Sequence, residues 1–357
     1  MLSVGITYNL KKNIPSELPD AEAEFDDMDT IRAIQGALET AGFNVALYEA
    51  TEDLPVKLLQ NRPGSSTGRV RTSEGSPPDI VFNIAEGLTG RGREAQVPAI
   101  LGFLGIPFTG SDETTMCVAM DKALTKRLVS SFGINTPKYQ VIRSGASIPD
   151  INLTFPVIVK PNAEGSSKGI TDLSVVYDNG ALRRVLTEKI NAYREDMLVE
   201  EYISGREFTV GILGNGDNLR VFPPMEILFN DKAHGIYSRE VKKDFKRYVS
   251  YKCPADISSG MKNEIEGAAE TVYRSLECRD FARIDFRLAG GETHPSGSAA
   301  GSPDGQLHFI EINPLPGLAP GYSDFPMIAG FCGMNYATLI RNILDCALAR
   351  YGLHYKK

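Results

Sequence analysis

The sequence predicts a chain of mixed class, a parallel α/β domain first and α+β architecture after it. Three observations carry this. Up to Gly105, apolar runs of strand length alternate with helical periodicity. Between residues 157 and 213, strand-like runs crowd around one helical stretch. Two further runs, 282–288 and 307–312, flank a Gly/Ser/Pro-rich segment and read as a hairpin.

Residues 2–7 form a short apolar run ending in a polar turn, the pattern of a buried strand. Residues 26–40 place Met28, Ile31, Ile34 and Leu38 on one helical face. Asp26 or Asp27 can cap that helix and Gly42 can end it. Residues 43–48 and 80–83 supply the second and third strands, and a helix near 94–104 closes at Gly105. Residues 61–78, rich in Gly, Ser, Pro and Arg, are expected to be a mobile surface insertion. A helix at 121–132 ends at Gly133, and Pro137 marks a new region. Its strands are 157–161, 173–177, 197–201 and 207–213, with one helix near 181–190. A long helix, 259–275, precedes the hairpin, whose connection 289–306 is expected to be disordered. A terminal helix spans 336–351, and there is no internal repeat.

A chain of 357 residues suffices for two or three packed units. Hydrophobic residues at 42% and charged residues at 23% are ordinary for a globular protein. The net charge of −7 argues against a general nucleic-acid binder but leaves room for a local phosphate site. Each apolar stretch is too short to span a bilayer, and the start lacks the basic and apolar segments of a signal peptide. The expectation is a cytoplasmic protein with neither nucleic-acid nor membrane partner. Cys117, Cys253, Cys278, Cys332 and Cys346 are odd in number and lack close spacing, so they read as free or buried thiols.

Three segments carry chemistry. In Pro156-Val-Ile-Val-Lys160-Pro-Asn-Ala-Glu164-Gly165-Ser166-Ser167-Lys168-Gly169, a strand delivers a lysine and opens into a small-residue loop. Backbone N–H groups and hydroxyls there can approach an anion, and the lysine supplies a point charge. A β-turn with an incidental lysine is the plainer reading. In Leu198-Val-Glu200-Glu201-Tyr-Ile203-Ser-Gly-Arg-Glu207, two strands flank a tight turn, and adjacent Glu200 and Glu201 point to opposite faces. A solvated hairpin competes with a pocket for an amine or a diol. In Ala282-Arg283-Ile-Asp285-Phe286 and Phe309-Ile-Glu311-Ile-Asn313-Pro314, the polar residues share a face on each run. If the runs pair, two carboxylates and an amide oxygen converge as a hard donor set for Mg²⁺. Arg283 beside them can face a developing oxyanion. A solvated salt-bridge ladder is the alternative.

The order of these segments, with Met120-Asp121-Lys122 and Glu311-Ile-Asn313-Pro-Leu-Pro-Gly317, resembles the ATP-grasp superfamily and within it the D-alanine–D-alanine ligase family. The resemblance runs from about Ile80 onward and is weaker before. It implies an ATP-grasp fold preceded by a parallel α/β domain, divided at 1–120, 121–204 and 205–357. Lys122 and Lys160 would contact the α- and β-phosphates, and the loop of Glu164, Gly165, Ser166 and Ser167 would close over them. Glu200 and the backbone around Glu201 and Ile203 would read adenine, Glu207 the ribose, and Lys242 would lie near the γ-phosphate. Asp285, Glu311 and Asn313 would hold two Mg²⁺ ions, or Mn²⁺ in their place. Arg283 and the Gly317 N–H would stabilise the oxyanion formed when an amine attacks an acyl phosphate. Family members often dimerise, so a homodimer is an expectation of the resemblance alone.

The chain departs from the family chiefly on the substrate side. The glycine pair followed by Ser and Glu is missing near the start, and Glu24 either replaces that glutamate or caps the first helix. Asn83-Ile-Ala-Glu86-Gly87 replaces a His-Gly turn, Lys243 stands where an aromatic is usual, and Glu201 stands where a lysine is common. Three readings follow: synthesis of D-alanyl-D-alanine, a related ligase for other amino or carboxylic acids, or a nucleotide-binding regulator without turnover.

Overall fold

The computed structural model describes residues 2–12, 22–59, 77–164, 174–229, 249–290 and 305–354. Strand β1 (Ser3–Tyr8) lies between β2 (Asn44–Glu49) and β3 (Ile80–Asn83), parallel to both. Helix α1 (Met28–Thr40) buries Ile31, Ile34 and Leu38, each worth roughly 1.5–3 kcal/mol removed from water. Asp27 is its cap, accepting from the Thr30 N–H at 2.8 Å. Gly42 lies just past its end at φ +90°. A short helix α2 (Leu54–Leu59), which sequence periodicity did not reveal, follows β2. Helix α3 (Gln96–Leu104) ends on left-handed Gly105, as expected.

The predicted helix at 121–132 is the second of two. Helices α4 (Glu113–Met120) and α5 (Lys122–Ser131) meet at extended Asp121, whose carboxylate caps Leu124 N–H at 3.0 Å. The second sheet has the order β4 (Tyr139–Ile142), β7 (Met197–Glu201), β5 (Val157–Pro161), β6 (Val175–Val176), all antiparallel. Helix α6 (Asn179–Tyr193) packs on it through Leu182, Val185 and Leu186.

In the third sheet β8 (Gly205–Leu213) pairs with the short β9 (Arg220–Val221), with β10 (Met225–Phe229), which continues to β11 (Val249–Lys252), and with β12 (Phe281–Ala289). Strand β12 pairs antiparallel with β13 (Gln306–Asn313), the predicted hairpin. Helix α7 (Ser259–Ser275) covers this sheet with Met261, Ile265, Ala269 and Val272 against Val210, Ile284 and Phe286. Strands β4, β10 and β11 were not anticipated, since their alternation is partly exposed and short.

After the loop at 314–323 come helices α8 (Asp324–Phe331) and α9 (Tyr336–Arg350). Helix α9 packs on α1: Ile340, Ile343 and Leu344 share a core with Ile31, Ile34, Leu38, Phe281 and Phe325. The last helix therefore completes the core of the first domain, which its place in the sequence did not suggest. Most of the expected insertion at 61–78 and of the hairpin connection at 289–306 lies outside the described residues. All five cysteines are free thiols, and no described helix is long and apolar enough to cross a membrane.

Candidate active site

The pairing of β12 with β13 sets the centre of the site. Its register places Asp285 opposite Glu311 and Arg283 opposite Asn313. Arg283 donates to both Asp285 oxygens, from Nε at 3.1 Å and Nη2 at 2.9 Å. Asn313 Nδ2 donates to Asp285 Oδ2 at 3.3 Å, and Lys122 Nζ lies 3.8 Å from Glu311 Oε2. Burial pushes the Asp285 carboxyl above its ordinary range despite Arg283. Glu311 also feels burial, but Lys122, Lys160 and Arg283 outweigh it and lower its pKa. The alternative of a solvated ladder does not hold, since Arg283 and Asp285 are mostly shielded from water.

The donor chemistry fits a divalent cation. Asp285 and Glu311 offer hard oxygens side by side, and a rotation of the Asn313 amide presents a third. Burial chiefly raises the Asp285 carboxyl and the nearby Glu311 adds to it, so an added positive charge would favour the ionised pair.

Lys160, at the end of β5, lies 2.6 Å from Glu200 Oε1 across the sheet. Lys126, on α5, reaches Glu200 Oε2 at 3.0 Å and donates to Ile310 O at 3.1 Å. All three side chains are at least 97% buried and form a triad that the sequence did not disclose. Burial would raise the Glu200 carboxyl, but the two lysines hold it at about 2. Burial lowers Lys126 to about 8 although Glu200 pulls it upward. Glu200 is thus engaged by two ammonium groups. Glu201 faces the other way, accepting from Thr154 N–H at 3.0 Å.

Glu207 stands opposite Arg287 in the β8–β12 register and accepts from its Nε at 3.1 Å and Nη2 at 2.5 Å. Arg287 Nη1 also donates to Ile203 O at 2.9 Å, so one arginine ties together two residues expected at the nucleotide. Burial raises the Glu207 carboxyl even so.

Lys122 donates from Nζ to Glu164 O, and its backbone N–H donates to Asn162 O at 3.0 Å. Asn162 in turn accepts from Ala123 N–H at 3.1 Å and donates to Asp121 Oδ1 at 2.9 Å. This pins the start of α5 to the end of β5, so Lys122 and Lys160 belong to one assembly.

On the first domain, Arg93 gathers the acids. It pairs with Glu24, lies 3.0 Å from Glu164 and 3.9 Å from Glu94, and donates to Ala163 O at 3.2 Å. Glu24, Glu86 and Glu94 bring carboxylate oxygens within 4.8 Å of one another. Burial, then mutual repulsion, raises the carboxyls of Glu86 and Glu94. Glu24 is not the helix cap, a role Asp27 fills.

A cavity of about 510 Å³ joins these groups. Glu24, Glu86, Glu94, Lys122, Glu164, Arg283, Glu311, Asn313, Gly317 and Asp324 all line it. A Cβ at Gly317 would stand 2.8 Å from Ser323 Oγ, so glycine lets the loop close there. Lys160, Glu200, Glu201, Ile203 and Glu207 do not line this cavity. Gly165, Ser166, Ser167, Lys242 and Lys243 lie outside the described residues.

Sequence reasoning gave no role to Arg93, Glu94, Arg287 or Asp324. A usable signal existed for Glu86: it follows β3, and ligands of parallel α/β sheets bind beyond the strands' carboxyl ends. Arg287 shares the alternating face of Arg283 and Asp285 and was readable from that period.

A family model described as the C-terminus of D-ala D-ala ligase matches residues 128–345. An uncharacterized protein of Sinorhizobium fredii is 32% identical over 319 residues, 89% of this chain and 87% of that one. The D-alanine–D-alanine ligase of Aquifex aeolicus is 32% identical over 316 residues, 88% of this chain and 93% of its own. Among solved structures, a D-alanine–D-alanine ligase from Bacillus anthracis complexed with ATP superposes with TM-score 0.72 at 20% identity, covering 99% of each chain. The VanG D-Ala:D-Ser ligase from Enterococcus faecalis gives 0.69 at 22%, covering 97% of this chain and 99% of its own. At such identities the structures speak for a shared fold.

Proposed function

The chain belongs to the D-alanine–D-alanine ligase family and is an ATP-dependent carboxylate–amine ligase, and from this premise we propose that it joins two D-alanine molecules for cell-wall precursors. The observation that carries the reading is the register of Asp285 opposite Glu311, with Arg283 bidentate on Asp285 and with Arg283, Glu311 and Asn313 at the wall of one cavity.

The carboxylate of the first amino acid attacks the γ-phosphate of ATP, the bond to the β-phosphate breaks, ADP leaves, and an acyl phosphate forms. Lys122 and Lys160 offset charge on the phosphates. Asp285, Glu311 and Asn313 would hold two Mg²⁺ ions, which supply electrostatic stabilisation of the transferring phosphoryl group. The second amino acid, its ammonium having given up a proton, then attacks the activated carbonyl as the free amine, and inorganic phosphate leaves as the amide forms. Arg283 and the Gly317 N–H face the oxyanion, where a positioned donor is worth far more than in water. Glu24, set by Arg93, takes the ammonium of the first amino acid.

Glu200, Glu201, Ile203 and Glu207 are assigned to the adenosine end. The contacts of Glu200 with two lysines and of Glu207 with Arg287 make both carboxylates pre-organised acceptors. Glu164, Gly165, Ser166, Ser167 and Lys242 are assigned to the phosphates by resemblance. The same reading divides the chain at 1–120, 121–204 and 205–357, and adds a homodimer in the cytoplasm. A regulator without turnover is disfavoured, since the matching family model and the named curated relative are ligases.

The test is phosphate release with ATP, Mg²⁺ and a panel of amino acids, with product analysis. D-alanine-dependent release with D-alanyl-D-alanine is expected. Release with a different acid would move the substrate assignment, and ATP binding without substrate-dependent release would end the ligase proposal.

A further inference from the structure

We propose that Arg93 couples binding of the first amino acid to binding of ATP, a positioning role that deepens the ligase reading and rests on it. Arg93 lies in the turn just before α3 and is 6% exposed. Its guanidinium faces two parts of the chain at once. Nη2 pairs with Glu24 and lies 3.9 Å from Glu94, both in the first domain. Nη1 lies 3.0 Å from Glu164 Oε2 and donates to Ala163 O at 3.2 Å, just past the end of β5. The Glu164 carbonyl in turn accepts from Lys122 Nζ, which stands 3.8 Å from Glu311. One line of contacts thus runs from the carboxylate assigned to the substrate ammonium to a lysine assigned to the phosphates.

A role as counter-ion alone explains less. Neutralising Glu24 needs one side of the guanidinium, yet the other side is spent on Glu164 and Ala163. Burial works against the charge of Arg93, but Glu24, Glu164 and Glu94 outweigh it and raise its pKa, so the bridge stays cationic. Arg91, two residues earlier, also reaches across, to Asp121 at 2.9 Å. Its side chain is largely exposed, and such a pair contributes little. An ammonium docked on Glu24 brings a second cation beside Nη2. Repulsion then presses Arg93 toward Glu164 and steadies the carbonyl that positions Lys122. Linkage makes the effect mutual, so ATP held at Lys122 tightens the amino acid by the same factor.

The test measures this coupling at equilibrium on the whole chain. Calorimetry gives the Kd of β,γ-imido-ATP with Mg²⁺, an analogue that cannot transfer its phosphate, without and with saturating D-alanine. Wild type is expected to bind the analogue about tenfold more tightly with D-alanine present. Arg93→Lys keeps the charge but cannot hold both sides, so this ratio should fall to within about twofold of one, while the analogue alone binds within about twofold of wild type. An Arg93→Lys ratio equal to that of wild type, or a wild-type ratio of one, overturns the inference. Weaker binding of the analogue alone also overturns it, because Arg93 would then serve the architecture. Should Arg93→Lys fail to fold, Glu164→Gln decides, since it weakens the Nη1 side and leaves Glu24 paired. A reduced ratio in that variant supports the coupling, and an unchanged one overturns it. Phosphate release by wild type tells the two readings apart. D-alanine-dependent release with a ratio of one sinks the coupling alone, whereas no such release refutes the D-alanine ligase reading and the coupling with it.

Discussion

Glu200 lies between two lysines, with Lys160 Nζ at 2.6 Å from one carboxylate oxygen and Lys126 Nζ at 3.0 Å from the other. Through Lys126 the arrangement extends to Ile310 O, one residue before Glu311. The triad therefore ties the second sheet to the strand that carries the proposed metal ligands. Two ammonium groups this deeply buried share a single carboxylate, so both depend on Glu200 for their counter-charge.

That relationship predicts an acid-sensitive contribution to stability. Glu200 titrates at about 2 in the folded protein, below its ordinary 4.5. Between those values the unfolded chain binds more protons, so the contribution is complete above about pH 4.5 and shrinks as pH falls toward 2. Urea unfolding of wild type and Glu200→Gln should differ by up to ~3 kcal/mol near neutrality, with the gap narrowing through this window. A gap independent of pH would refute the charge pairing.

Glu311→Ala removes a carboxylate opposite Asp285 without opening the core, since Glu311 lines the cavity. Substrate-dependent phosphate release should fall by about a thousandfold, with the melting temperature little changed. Activity near the wild-type rate would show that the metal ligands lie elsewhere.

Gly87 sits at φ +78°, and a Cβ there would stand 2.0 Å from Arg93 O. Gly87→Ala must displace the backbone that carries Arg93, and with it the partner of Glu24. A loss of ~2–4 kcal/mol is expected, along with a KM for the first amino acid that rises more than the KM for ATP. Equal changes in both KM values would disconnect Arg93 from that substrate.

Arg350 binds the fully buried Asp280 twice, from Nε at 3.1 Å and Nη2 at 2.7 Å, and donates to Phe108 O at 2.8 Å. It joins α9, the start of β12 and the first domain. Arg350→Met should cost ~3 kcal/mol by leaving Asp280 without this charge. A double variant with Asp280→Asn should lose less than the sum of the two single changes, and strict additivity in urea unfolding would argue against a direct pair.

The sequence by itself determined the elements and the polarity of their faces. Period-two alternation put Arg283 with Asp285 and Glu311 with Asn313, and the 3.6 period placed Ile31, Ile34 and Leu38 inward, because both patterns depend only on near neighbours along the chain. Only the tertiary structure decided the partners. Arg93 meets Glu24 across 69 residues, and Arg287 meets Glu207 across 80. Helix α9 closes on α1 from the far end of the chain, and Asp324 comes to Arg283. Such pairings are chosen by the desolvation each buried charge must offset and by the apolar surface each helix must cover. Both quantities are set by the packed whole and are invisible to a local pattern.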